Sequence, residues 1–211
     1  MSEIMLESCL LEVMNNEEMS EKIELKIIEG LVGQNVKDEN DKTLLMIASE
    51  RGYKEVAEFL IANGADVEAE DEFGKTALMY ASRSGHKEVV ELLIANGANV
   101  EAGDVFGDTA LMMASEGGHK EVVEFLIANG ADVEAGNDFG DTALMCASRS
   151  GHKEIVELLI ANGPNVNAKD NSGRTAMMLA DNDEMRKVIM DAVKKRNKKT
   201  TENVIIKDME R

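Results

Sequence analysis

Thr43, Thr76, Thr109, Thr142 and Thr175 stand 33 residues apart, each inside a similar phrase: DKTLLMIAS, FGKTALMYAS, FGDTALMMAS, FGDTALMCAS and SGRTAMMLA. The stretches between them repeat too, as YKEVAEFLIANGADV, HKEVVELLIANGANV, HKEVVEFLIANGADV and HKEIVELLIANGPNV. A fixed period of this length restricts the chain to architectures that stack one supersecondary unit on copies of itself. The 44% apolar content can build a core, and the 3% aromatic content argues against a β-sandwich or barrel.

Local chemistry describes one unit. Asp71-Glu72-Phe73-Gly74 reads as a turn, with an Asp that can bond its own backbone. Thr76 suits a helix N-cap, and a short helix follows with Ala77, Leu78 and Ala81 inward, ending near Ser84-Gly85. A second helix from about Lys87 places Val89, Val90, Leu93 and Ile94 on one face and Glu88 and Glu91 on the other. Asn96-Gly97 closes it. Two helices and a turn finger cannot bury their own apolar stripe, so neighbouring units must.

These residues resemble the ankyrin-repeat family, whose pattern is D-x-x-G-x-T-P-L-H-x-A-A, then G-H, then a V-V-x-L-L helix ending G-A-D-V-N. The resemblance implies an all-α solenoid of helix-turn-helix units with protruding β-turn fingers. Five units are expected, at 38–70, 71–103, 104–136, 137–169 and 170–193. Two departures stand out. The family's Pro is Ala at 77, 110, 143 and 176, and its His is Met at 46, 79, 112, 145 and 178. That His ties neighbouring turns together in the family. The Met row is expected to fill the inter-repeat layer by apolar packing.

Terminal units of a solenoid need a polar outer face. Residues 1–37 hold two amphipathic stretches, 2–14 and 20–31, and read as a degenerate helical cap. Met185, Val188, Ile189, Ala192 and Val193 complete the last outer helix. Residues 194–211 read as a basic C-terminal tail, expected to fray, that opens with the run Lys194-Lys195-Arg196-Asn197-Lys198-Lys199.

Candidate chemistry recurs with the framework. His86, His119 and His152 occupy one place in three successive units. Packed units put them about 10 Å apart, too far to share an ion held at about 2.1 Å. No metal site is expected. Cys146 stands where sister units carry Ile47, Tyr80, Met113 and Leu179, which makes it a packing thiol. Cys9 lies far from it, so neither a disulfide framework nor a CxxC site is indicated. Carboxylates recur on solvated helix faces without a shielded pair to divide acid and base roles. Neither a catalytic residue nor a cofactor site is assigned, and the chain reads as non-enzymatic.

The informative positions vary while the frame stays constant. In the fingers these include Glu72, Phe73 and Lys75, then Val105, Phe106 and Asp108, then Asp138, Phe139 and Asp141. At the ends of the first helices they include Arg83, Glu116 and Arg149. The family resemblance implies that fingers and inner helices line a concave binding groove. Phe73, Phe106 and Phe139 then form a row that either supplies binding hot spots or packs finger on finger; both readings stand. The expected function is recognition of a protein partner by that groove. A delivered effector or inhibitor, and a structural spacer or regulatory subunit, are the alternatives.

Charge narrows the partner. Asp and Glu number 41 against 23 Lys and Arg, a formal charge of -18. That field repels nucleic acid and anionic membrane and favours a basic protein partner. Residues 104–136 hold seven acids and one Lys. No apolar run reaches the roughly 18 to 20 residues of a membrane span, and the start lacks a basic segment before an apolar one. A cytoplasmic monomer is expected. The basic run 194–199 leaves nuclear targeting open, and delivery into a host is a further alternative. Asn167 alone matches the V-N sequence that is hydroxylated in some members of the family, because sister units carry Glu68, Glu101 and Glu134.

Overall fold

The computed structural model describes residues 37–209. The amphipathic stretches 2–14 and 20–31, and Cys9, lie outside the described residues. Among the described residues, ten helices follow in pairs: α1 (Leu44–Arg51) and α2 (Lys54–Ala62), α3 (Ala77–Ser84) and α4 (Lys87–Ala95), α5 (Ala110–Gly117) and α6 (Lys120–Ala128), α7 (Ala143–Arg149) and α8 (Lys153–Ala161), α9 (Ala176–Leu179) and α10 (Asp183–Met209). Each first helix packs on the first helix of the next unit, and each second helix touches its own partner and its neighbour. The inner layer is the tighter one, because it presents Ala and Ser where the outer layer presents Leu, Ile and Phe. An array packed more closely on one side bends toward that side.

Thr43, Thr76, Thr109 and Thr142 cap the inner helices, their Oγ1 atoms accepting the amides of Met46, Met79, Met112 and Met145 at 3.3–3.5 Å. Thr175 makes no such bond, and α9 is a single turn of four residues. Whereas α10 begins at Asp183, the outer helices α2, α4, α6 and α8 carry Lys at their first position. Asn63, Asn96, Asn129 and Asn162 close them, each Nδ2 donating to the carbonyl four residues back at 2.8–2.9 Å. Val89, Val90 and Leu93 are buried as the pattern predicts, whereas Ile94, Phe59 and Phe125 are half-buried against the core.

The Met row splits. Met46, Met79, Met112 and Met145 are buried in the inter-repeat layer, and the Met46 sulfur also accepts the Thr43 amide at 3.3 Å. Met178, expected in that layer, is 64% exposed. It sits on α9, the last inner helix among the described residues, and no described unit stacks on its far side. The tail also differs from expectation: α10 carries its helix from Asp183 through the basic run to Met209. Met185 and Ile189 anchor it in the core. Among the described residues, no helix is long and apolar enough to cross a membrane.

The histidines are structural ties. His86, His119 and His152 each donate from Nε2 to a carbonyl of the preceding unit, Glu50, Arg83 and Glu116, at 2.9–3.0 Å. Each ring lies over the glycine that ends the preceding inner helix. A Cβ on Gly85, at φ 79°, would stand 2.3 Å from Nδ1 of His119.

Candidate functional site

Each finger is organised by one side chain at its base. Asp71 Oδ1 accepts the amides of Phe73 and Lys75 at 2.9 and 2.8 Å. Asp104, Asn137 and Asp170 repeat this bond pair in the next three units. Asp38 does the same in the first finger, where Asp41 takes a φ of 60°. Short polar side chains that satisfy two turn amides define the bend locally, before any neighbour is present.

Neighbours then fix the fingers to one another. Glu72 donates its amide to the Asn40 carbonyl, Val105 to Phe73, Asp138 to Phe106 and Asn171 to Phe139, all at 2.9–3.0 Å. A second ladder runs behind the fingers. Glu68 Oε1 accepts the Asn99 amide and Glu101 Oε1 the Asp132 amide, both at 2.9 Å, and Glu134 likewise accepts from Asn165. The Glu residues that displace the family's Asn are therefore inter-repeat staples, a role their repetition alone did not reveal. Asn167, the one Asn in that position, is exposed.

These ladders hold a row of aromatic rings in water. Phe73 is 45% exposed, Phe106 47% and Phe139 57%. The rings of Phe106 and Phe139 sit 6.2 Å apart between centroids, and Lys75 Nζ lies 5.8 Å from the Phe73 ring centre. Finger-on-finger packing and solvent exposure thus coexist in the Phe106–Phe139 pair. Glu72, Val105, Asp138, Arg83, Glu116 and Arg149 are exposed alongside, and Lys75 and Asp108 are half-exposed.

Asp141 is the exception among the expected surface positions. It is 8% exposed, and its Oδ2 accepts from Arg149 at 2.6 Å while Oδ1 is buried without a partner. Burial of one carboxylate oxygen and capture of the other place it beneath the surface. Asp108, its equivalent one unit earlier, pairs with no cation among the described residues. Burial pushes the Asp108 carboxyl up, against the lowering effect of a 2.7 Å bond from Asn137, and the like charges of Asp104, Glu116 and Asp141 push it further.

One cluster on this face was not singled out from the sequence. Tyr80 donates its hydroxyl to Asp71 Oδ2 at 2.7 Å, and burial together with that bond and nearby carboxylates pushes its pKa up. Lys42 Nζ lies 4.1 Å from the Tyr80 ring centre and 2.5 Å from Glu50 Oε2. The available signal was positional, since Lys42 stands in register with Lys75, Asp108 and Asp141. Cys146 is buried in the core, and burial pushes its thiol up to about 12, which suits packing and not nucleophilic attack. Among the described residues, no group of three His, Cys, Asp or Glu is placed to hold a metal ion.

A family pattern described as ankyrin repeats in three copies matches residues 13–104, 45–137 and 111–202. No curated protein matches the chain.

Proposed function

Because the chain belongs to the ankyrin-repeat family, whose repeats mediate protein–protein interaction, we propose that it binds a protein partner on the face formed by its finger tips and inner helices. The observation that carries this reading is the row of exposed Phe73, Phe106 and Phe139 rings on fingers already locked by backbone bonds. Exposed aromatics on a rigid support bring contact area without the entropy cost of ordering a loop. The charged residues around them supply orientation, and the overall charge of -18 steers a basic partner toward the array.

The family's repeats are typically non-enzymatic interaction modules, and the face described here presents anchors and charges in place of a shielded acid–base pair. Replacing Phe73, Phe106 and Phe139 together with Ala tests the reading. A partner captured from the native cell by the wild-type chain should bind the variant at least about 30-fold more weakly, with circular dichroism unchanged. Undiminished capture by a folded variant would remove the face from consideration.

A further inference from the structure

In the first four units, two positions eight residues apart, one at the end of the finger and one at the end of the inner helix, carry the charge of this face. In the first unit they are Lys42 and Glu50, paired at 2.5 Å. In the fourth they are Asp141 and Arg149, paired at 2.6 Å. In the fifth, Arg174 pairs instead with Asp170 at the base of its own finger, at 2.6 Å. The second unit has Lys75 and Arg83, two cations, and the third has Asp108 and Glu116, two anions. Like charges cannot neutralise each other within a unit, and none of these four side chains forms an ion pair with any described residue. The face is therefore self-compensated at both ends and charged in the middle, positive then negative.

The two middle units are in direct register. Val105 donates its amide to the Phe73 carbonyl, and His119 bonds the Arg83 carbonyl. Asp108 is pushed up by burial first and then by the like charges of Asp104, Glu116 and Asp141, and the Arg149 guanidinium that feels Glu116 is already paired with Asp141. Phe106, paired with Phe139, stands two residues before Asp108 in the third finger, and the Phe73 ring lies 5.8 Å from Lys75 Nζ in the second.

We propose that this face recognises a protein segment carrying a carboxylate and, one repeat away, a cation, the carboxylate seated on Lys75 and Arg83 and the cation on Asp108 and Glu116. The inference rests on the binding face proposed above and specifies its partner. One repeat is about 10 Å, which three residues of extended chain span. An apolar residue beside the cation meets the paired phenylalanine rings. The overall negative field accelerates encounter with a basic partner, whereas the two poles decide its register.

The test uses a displayed library of random linear peptides selected on the full-length chain, followed by anisotropy titration of the enriched peptides in labelled form. Enriched peptides should carry one acid and one base about three residues apart. The charge-reversed chain K75E/R83E/D108K/E116K should bind them about a hundredfold more weakly, since like-charge contact costs several kcal/mol. A peptide with its own acid and base exchanged should recover affinity for that chain.

Enriched peptides of a single charge sign, peptides indifferent to the reversal, or no enrichment at all would overturn the proposal. In the first two cases, loss of binding in F73A/F106A/F139A shows that the face itself still stands, and retention in that variant defeats the face as well. Wild-type self-association that disappears in K75E/R83E would also overturn the proposal, by making a second copy of the chain the occupant.

Discussion

Changing Gly85 to Ala isolates what the contact between units contributes. Gly85 ends α3 at φ 79°, and Gly97 follows α4 at φ 93°. Both place a non-glycine residue in the left-handed region, at a cost of about 1–2 kcal/mol. The stiffer unfolded chain offsets about 0.4–1 kcal/mol of that. A Cβ on Gly97 meets nothing within 4 Å, so the Gly97 variant should lose only about 1 kcal/mol. A Cβ on Gly85 meets three ring atoms of His119 at 2.3–2.6 Å. The ring must swing away and release the Arg83 carbonyl, which adds about 1–3 kcal/mol of overpacking and lost bonding.

Equilibrium urea unfolding followed by circular dichroism should therefore show Gly85→Ala less stable than Gly97→Ala by about 1–3 kcal/mol. In a His119→Ala background the two glycine changes should converge, because the clash has no second partner. The Gly85 transition should also broaden as the weakened interface lets the array separate into blocks. Equal costs, within about 0.5 kcal/mol, in the wild-type background would refute the idea that His119 couples the second and third units.

Arg149→Ala should destabilise the chain by about 1–2 kcal/mol in urea, more than an exposed ion pair is worth, because it strands the buried Asp141 carboxylate. Asp108 is raised above its ordinary value when folded, so its contribution is favourable while protonated and is lost as pH rises through the folded value. Asp108→Asn should accordingly stabilise the chain by less than about 1 kcal/mol at neutral pH and converge on wild type below about pH 3.9. A constant difference across a pH series of urea midpoints would contradict that sign. In a Cys9→Ser background, Cys146 should resist a thiol-disulfide reagent at pH near 8 until urea unfolds the chain; prompt labelling of folded protein would show that the thiol is accessible.

Most of the unit was legible because its signals are local. Thr76 caps the helix three residues ahead of its own bond partner, Met79, and the Asn96 amide reaches back only to Leu92. Asp71 bonds amides within four residues of itself. The proposed binding face was legible only in part. The exposed phenylalanine row followed from where fingers vary, yet Asp108 and Asp141 look alike in FGDTALM and differ in fate. What separates them is eight residues further on, Glu116 in one unit and Arg149 in the other. Met178 matches the buried Met row in spelling, but it lies on α9, on which no further described unit stacks.

The sequence alone determines the period, the helix and turn boundaries within it, and which residues are apolar, because those depend on backbone conformation and side-chain type over a few neighbouring positions. Only the stacked structure decides which Glu staples the next loop, which His reaches a carbonyl 36 residues back, and which charges are left without a partner. Such outcomes depend on distances between residues one unit apart. Those distances exist only after the inner helices have closed on one another and their apolar faces have left water.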